Sequence, residues 1–135
     1  MYTSYQLTQK SKKYLTERFP PKYSKPIGHH VTYEFGVHSD TPLPPLADIN
    51  VIGYQDNPDG IEALVVSVDG EKKRKDGSLF HITWSLDPNE FKPVHANDLV
   101  KRGNHKLIMP IKVYANPAIS NWADTIEFTR MIRVN

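Results

Sequence analysis

The sequence predicts an α+β fold: a single compact domain, residues 1–135, with an antiparallel-rich sheet and an N-terminal helix. Three observations lead to this prediction. Several short segments alternate between polar and apolar residues with the period of a strand. Short turns, one containing Asp-Gly, join successive segments. Only one segment, near the N-terminus, has the pattern of a helix of several turns.

The N-terminal region is expected to form a strand and then a helix. Residues 2–7 alternate weakly in polarity, and Thr8 is a suitable N-cap for a helix over residues 9–19. Two prolines, Pro20 and Pro21, end that helix because proline lacks the amide donor that a helix needs. The expected apolar face consists of Tyr14, Leu15 and Phe19, and the expected exposed face carries Lys10, Lys12 and Lys13. A solvated helix face is favoured over a nucleic-acid patch for these lysines.

The middle of the chain is expected to form three strands. Three prolines in residues 41–45 mark a connection, and residues 47–54 and 61–69 are predicted strands. The turn between these two strands, residues 57–60, contains the hairpin signal Asp-Gly. A charged turn over residues 70–77 leads to a third strand, residues 79–86, and it is expected to be a solvated hairpin tip.

The last third of the chain has a weaker pattern. Residues 96–102 are expected to form one or two helical turns that end at Gly103. Residues 107–114 and 125–134 are the last predicted strands.

The composition excludes several classes of protein. The chain has no cysteine, which excludes disulfides, cysteine nucleophiles and zinc sites with thiolate ligands. A net charge of +2 is too small to predict nucleic-acid binding, so an anionic partner requires a local site. We find neither a membrane-spanning apolar run nor a signal peptide, and we expect a cytoplasmic protein without membrane contact, assumed to be a monomer.

Two segments of the sequence repeat one motif, His-apolar-Thr-aromatic. The first is His30-Val31-Thr32-Tyr33, and the second is His81-Ile82-Thr83-Trp84. Both lie within strand-like alternation. Because side chains two residues apart on a strand share a face, each motif presents an imidazole beside a hydroxyl, with its apolar and aromatic partners turned into the core.

Paired His-x-Thr motifs on two strands resemble the signature of the 2H phosphoesterase superfamily. Residues 19–36 and 80–86 are similar to the motif regions of small bacterial and phage members. The resemblance implies two small pseudo-symmetric lobes and a metal-independent phosphodiesterase without cofactors. The implied substrate is an RNA end or a cyclic nucleotide, and the implied catalytic residues are His30, Thr32, His81 and Thr83.

The residue types of the motifs suit this chemistry. Opening a cyclic phosphodiester needs a base for the attacking water and an acid for the leaving sugar oxygen, and histidine can serve as either near neutral pH. The threonine hydroxyls would donate hydrogen bonds to the non-bridging phosphate oxygens. The sequence leaves open which histidine is the acid and which phosphodiester is the substrate.

Further residues are candidates for substrate binding. A proline-bounded loop, residues 22–28, is expected to bring Lys22, Tyr23 and Lys25 to the edge of the site, and Ser85 follows the second motif. A solvated loop is an equal alternative. His29 is expected to point away from the face that carries His30.

Three alternatives to a two-histidine enzyme are open. The first is a metal site built from the six histidines, at positions 29, 30, 38, 81, 95 and 105, although no pair has the helical spacing of zinc ligands. A non-catalytic RNA- or nucleotide-binding module on the same fold is the second alternative. The third is a chance repeat of a short motif.

Overall fold

The computed structural model describes residues 1–121 and 128–131. The strands are β1 (Tyr2–Leu7), β2 (Lys25–Pro26), β3 (His30–Phe35), β4 (Ile49–Asn57), β5 (Ile61–Val68), β6 (His81–Leu86), β7 (Lys106–Val113), β8 (Ala115–Ser120) and β9 (Phe128–Met131). The helices are α1 (Gln9–Arg18) and α2 (Ala96–Lys101), and a 3₁₀ turn (Pro93–His95) precedes α2.

All the described strands join one antiparallel sheet. Its order is β7-β4-β5-β6-β3-β1-β8-β9, and the short strand β2 pairs with β6 beside this path. The β3–β6 pair therefore joins the part of the sheet made by β4, β5 and β7 to the part made by β1, β8 and β9. The expected α+β class and antiparallel sheet are confirmed.

Helix α1 covers one face of the sheet. The Thr8 hydroxyl caps it by accepting a hydrogen bond of 3.1 Å from the Ser11 amide. Leu15 is fully buried and packs against the apolar residues of the motif strands, Val31, Ile82 and Trp84. The Trp84 indole also donates a hydrogen bond of 2.7 Å to the Phe19 carbonyl just past the helix. We call this side the α1 face.

Helix α2 covers part of the opposite face, which we call the α2 face. Its buried residues are Ala96, Leu99 and Val100, and they pack with Ala63 and Val65 of β5. The two helices thus lie on opposite sides of one sheet, and each closes a separate apolar cluster.

A bulge in β6 changes which side chains reach each face. Ala63 pairs with Thr83 and the preceding residue, Glu62, pairs with Ser85, so Trp84 is an extra residue on β6. An extra residue reverses the alternation of a strand. Ser85 is therefore turned to the α1 face, and Leu86 joins the α2-face cluster.

Most predicted elements are present, with several corrections. The strands predicted over residues 47–54, 61–69, 79–86 and 107–114 match β4, β5, β6 and β7 within three residues. Strand β8 was not predicted, although it pairs along the whole of β1. Its Asn116-Pro117 dipeptide is more typical of turns than of strands. Tyr14 is exposed instead of lying on the apolar face of α1, and Ser11 is buried there. The strand predicted over residues 125–134 corresponds to β9, and its remainder lies outside the described residues.

The described helices are too short or too polar to cross a lipid bilayer.

We predict that Gly28→Ala destabilises the fold more than Gly36→Ala. Both glycines have positive φ, +58° and +70°, so both substitutions incur the strain of a left-handed residue, about 1–2 kcal/mol. A Cβ at Gly28 would also lie 2.9 Å from the Trp84 ring, whereas a Cβ at Gly36 meets nothing within 4 Å. Overpacking of this kind costs about 1–3 kcal/mol more. Urea unfolding measures both free energies, and equal losses would contradict the packing argument.

Candidate functional site

The register between β3 and β6 brings the two motifs together. Val31 pairs with Ile82, and both side chains are fully buried on the α1 face. Because side chains alternate along a strand, the residues on either side of this pair point to the α2 face. These residues are His30, Thr32, His81 and Thr83, the four predicted catalytic residues.

The four residues form the corners of a square, which we call the motif square. Since the strands run antiparallel about the Val31–Ile82 pair, His30 lies across from Thr83 and Thr32 lies across from His81. The two histidines therefore occupy one diagonal. Diagonal neighbours on adjacent strands are about 7–8 Å apart. The imidazole of His81 is close enough to that of His30 to help lower its pKa.

His81 has its tautomer fixed by the backbone. Its Nδ1 lies 2.9 Å from the Leu79 carbonyl oxygen, which can only accept, so Nδ1 carries the proton in the neutral ring and Nε2 carries the lone pair. The side chain is buried, with 8% of its surface exposed. Burial lowers its pKa to about 4, against the opposing effect of the Leu79 hydrogen bond.

His30 lacks a partner of this kind. Its Nδ1 is buried without a hydrogen bond to any described residue, and its ring lies 5.2 Å from the ring of Tyr2. Burial and, to a smaller extent, the neighbouring His29 and His81 lower its pKa to about 3. Both motif histidines are consequently neutral at pH 7.

The two threonines lie beside the histidines with different surroundings. Thr32 is buried, with 8% of its surface exposed. Thr83 is half-buried, and its hydroxyl is 3.4 Å from the Pro93 carbonyl in the 3₁₀ turn. A hydroxyl bond of that length is weak, since strong ones are about 2.5–3.0 Å. The Thr83 hydroxyl can therefore turn to a better acceptor at little cost.

Polar side chains of β1 and β8 extend the motif square. Gln6 pairs with His30 and Ser4 pairs with Thr32, and the Gln6 amide donates a hydrogen bond of 2.9 Å to the Ser4 hydroxyl. Asn116 of β8 lies across from Gln6. Sequence reasoning missed these residues. For Ser4 and Gln6 the only sequence signal is that they are polar residues in the weak alternation of residues 2–7. The sequence does not show that β8, which carries Asn116, pairs with β1.

Arg74 is a second residue that sequence reasoning missed. The prediction of a solvated turn over residues 70–77 is wrong for this residue, which has only 5% of its surface exposed. Its guanidinium lies 4.9 Å from the centroid of the Phe35 ring, donates to the Asp76 carboxylate at 3.2 Å and to the Asn97 amide oxygen at 3.1 Å. Its charge acts on His81 and helps to lower the pKa of that imidazole.

Three of the predicted substrate-binding residues lie elsewhere. The bulge turns Ser85 to the α1 face, where its hydroxyl donates to the buried carboxylate of Glu62 and accepts from the Tyr23 amide at 3.0 Å. The Lys22 amide also donates to Glu62, at 2.7 Å. The side chains of Lys22 and Tyr23 both bond to Asp56, each at 2.6 Å. These contacts fix the loop after α1 to the sheet and do not include the motif residues.

Lys25 lies on the other side of the sheet. It pairs with Leu86, whose side chain belongs to the α2-face cluster, and it is exposed. Lys25 therefore borders the face that carries the motif square. It is the one predicted substrate-binding residue that the fold brings to that face.

The histidines do not assemble into a cluster of metal ligands. Within residues 1–121 and 128–131, no group of three or more histidine, aspartate and glutamate side chains is arranged to hold a metal ion. Comparisons of the chain with protein-family models, with curated proteins and with solved structures find no match.

We predict that acid destabilises the protein through the motif histidines. The pKa of His81 is about 4 in the fold and about 6.5 in an unfolded chain, so the unfolded state takes up a proton first. The contribution of His81 to the free energy of unfolding is therefore fully present above about pH 6.5. It falls by about 1.4 kcal/mol per pH unit as the pH is lowered towards 4. In urea unfolding at pH 7.5 and pH 5, His81→Gln should reduce this loss. His38→Gln, at an exposed position, is the control and should lose stability as steeply as the unaltered protein. An equally steep loss in His81→Gln would contradict the prediction.

We also predict that Ser85→Ala lowers stability by about 1–3 kcal/mol. The substitution removes a donor from the buried Glu62 carboxylate and leaves the Tyr23 amide without its acceptor. Because these contacts lie on the α1 face, the substitution should leave the four residues of the motif square in place. Unfolding in urea measures the effect on stability. An unchanged free energy of unfolding would contradict the prediction.

Proposed function

We propose that this chain is a metal-independent phosphodiesterase that acts on a cyclic phosphate or phosphodiester of RNA or of a nucleotide. The observation that carries the proposal is the Val31–Ile82 register, which gathers His30, Thr32, His81 and Thr83 on one face of the sheet. Two imidazoles and two hydroxyls around one phosphate supply the proton transfers and the anion contacts that hydrolysis requires.

The proposed reaction is an in-line displacement at phosphorus. One neutral imidazole takes a proton from water as the water oxygen forms a bond to phosphorus. The bond from phosphorus to the leaving sugar oxygen breaks on the opposite side, and the other imidazole, protonated beforehand, gives its proton to that oxygen. The histidines exchange protonation states, and proton transfer through solvent restores them. A 2′,3′-cyclic phosphate would yield a phosphomonoester and a free hydroxyl.

The hydrogen-bond partners favour His81 as the acid. The Leu79 carbonyl accepts from Nδ1 and stabilises the imidazolium of His81, and this leaves Nε2 to deliver the proton. Nothing comparable stabilises a charged His30, whose Nδ1 is buried without a partner among the described residues. His30 is thus the better base.

Substrate binding would favour protonation of the imidazoles, which are neutral at pH 7 in the free protein. A phosphate between the imidazoles favours their charged forms, which raises the pKa of each from its lowered value. The hydroxyls of Thr32 and Thr83 would donate to the non-bridging oxygens and hold the phosphate in place. The buried guanidinium of Arg74 adds positive charge on the same face.

The proposal extends to the arrangement of a 2H phosphoesterase, with β3 and β6 as the central strands of two lobes. A two-fold axis through the Val31–Ile82 pair would exchange His30 with His81 and Thr32 with Thr83, which supports this interpretation. The helices do not follow that axis, because α1 and α2 lie on opposite faces.

We predict that His30→Ala and His81→Ala each lower turnover by about 10²–10⁴-fold, the loss usual for a general acid or base. The assay uses purified protein in the presence of a chelator. The substrates are 2′,3′-cyclic nucleotides, RNA that ends in a cyclic phosphate, and cyclic oligonucleotides. His29→Ala is the matched control, because this exposed neighbour lies outside the motif square.

The outcomes separate the competing interpretations. Cleavage that survives the chelator and is lost only in the two motif variants would support the proposal. Undiminished turnover in a folded His81→Ala variant would overturn it. Tight binding of a substrate without turnover by the unaltered protein would favour the alternative, a non-catalytic RNA- or nucleotide-binding module.

A further inference from the structure

A groove of about 880 Å³ lies between α1 and β7, and none of the four motif residues lines it. We call it the α1–β7 groove. Its volume falls within the range of about 300–1,000 Å³ that is usual for ligand sites. Strand β7 is the edge of the sheet, and two strands, β4 and β5, separate it from β6. The groove is therefore a separate surface from the candidate active site.

All the charged side chains that line the groove are basic. Lys10, Arg18 and Lys112 line it, all three are exposed, and no acidic residue is among the lining side chains. Lys112 also contacts Asp48 at 3.2 Å, but both of these side chains are more than half exposed. An exposed ion pair contributes little, about 0–1 kcal/mol, so an incoming anion can replace Asp48. The groove is suited to a ligand with negative charge.

Two exposed tyrosines stand beside these cations. Tyr14 has 44% of its surface exposed and Tyr114 has 49%. The guanidinium of Arg18 lies 4.6 Å from the centroid of the Tyr14 ring, and the Lys112 ammonium lies 5.6 Å from that of Tyr114. The groove thus offers two aromatic rings for stacking, each with a cation beside it. A nucleotide carries the matching pair of groups, a flat base and a phosphate.

The backbone of β7 argues against a peptide that adds a strand. Between the pairs Val51–Ile111 and Gly53–Leu107, three residues of β7 stand against one residue of β4, so the edge is strongly bulged. Pro110 within that bulge has no amide donor. Bulges, prolines and lysines on an edge strand are features that prevent strand addition. An acidic peptide would lack the main-chain hydrogen bonds that give such complexes their affinity.

We propose that the α1–β7 groove binds single-stranded nucleic acid. Bases stack on Tyr14 and Tyr114, and the phosphates between them contact Lys10, Arg18 and Lys112. Recognition of this kind tolerates different sequences, since every base has a face that can stack. The proposal is independent of catalysis at the motif square, because the groove shares no residue with it.

The test is the binding of a fluorescein-labelled oligothymidylate of about twelve nucleotides, followed by anisotropy. DNA has no 2′-hydroxyl and cannot form a 2′,3′-cyclic phosphate, so binding is measured apart from turnover. Tyr14→Ala and Tyr114→Ala should each weaken binding by about five-fold or more, the loss of one stacked base. Tyr14→Phe keeps the ring and should restore affinity. His38→Ala, at an exposed position outside both the groove and the motif square, should bind as the unaltered protein does.

Salt dependence supplies a second measurement. For single strands, each phosphate contact contributes about −0.7 to the slope of log affinity against log salt concentration. Lys10→Ala and Lys112→Ala should each reduce that slope by about 0.7. Lys13→Ala is the control, because this exposed lysine of α1 does not line the groove, and it should leave the slope unchanged.

Three results would overturn the proposal. The first is an absence of oligothymidylate binding at low salt. The second is binding that the tyrosine variants do not weaken. The third is a preference for poly-glutamate over the oligonucleotide, with poly-glutamate binding lost in the groove variants, which would identify an acidic peptide as the partner.

A duplex of the same length should compete poorly with the labelled single strand, since its bases are already stacked on one another.

Discussion

The pairing of β3 with β6 is the contact on which both the fold and the site depend. One register pair, Val31 with Ile82, connects the two parts of the sheet. Backbone hydrogen bonds extend this connection: the Ile27 amide donates to the Trp84 carbonyl, and the Gly28 amide donates to the Thr83 carbonyl. A shift of one residue would turn the buried valine and isoleucine to the α2 face and the histidines into the apolar core. Apolar burial and site assembly therefore select the same register.

The alternation of side chains along a strand also limits what the sequence could predict. Alternation correctly assigned Val31, Ile82 and Trp84 to the core and both histidines to the opposite face, since the period of a strand is a local property. The bulge at Trp84 is set by pairing with β5, and local alternation cannot detect it. Ser85 was consequently grouped with the motif, although it belongs to the α1 face.

Non-local pairing also explains the elements that the sequence did not predict. Strand β8 contains Pro117, which cannot donate to a ladder, and its strand character comes from pairing with β1 and β9. Arg74 has the same local context as its charged neighbours in the turn, and its contacts with Phe35 and Asn97, which are distant in the sequence, distinguish it from them. Periodicity cannot predict the structure or burial of a residue whose neighbours come from distant parts of the chain.

The energetics of the histidine pair favour a site that holds one proton. Raising the pKa of His81 from about 4 to 7 requires about 4 kcal/mol of favourable interaction with a ligand. Two charge-assisted hydrogen bonds, at about 1.5–3 kcal/mol each, supply that amount. Protonating His30 as well, from a pKa of about 3, would require about 5 kcal/mol more and would place two charges side by side. On the proposed function, a single bound phosphate would thus leave one imidazole charged and one neutral, which is the division that acid–base catalysis needs.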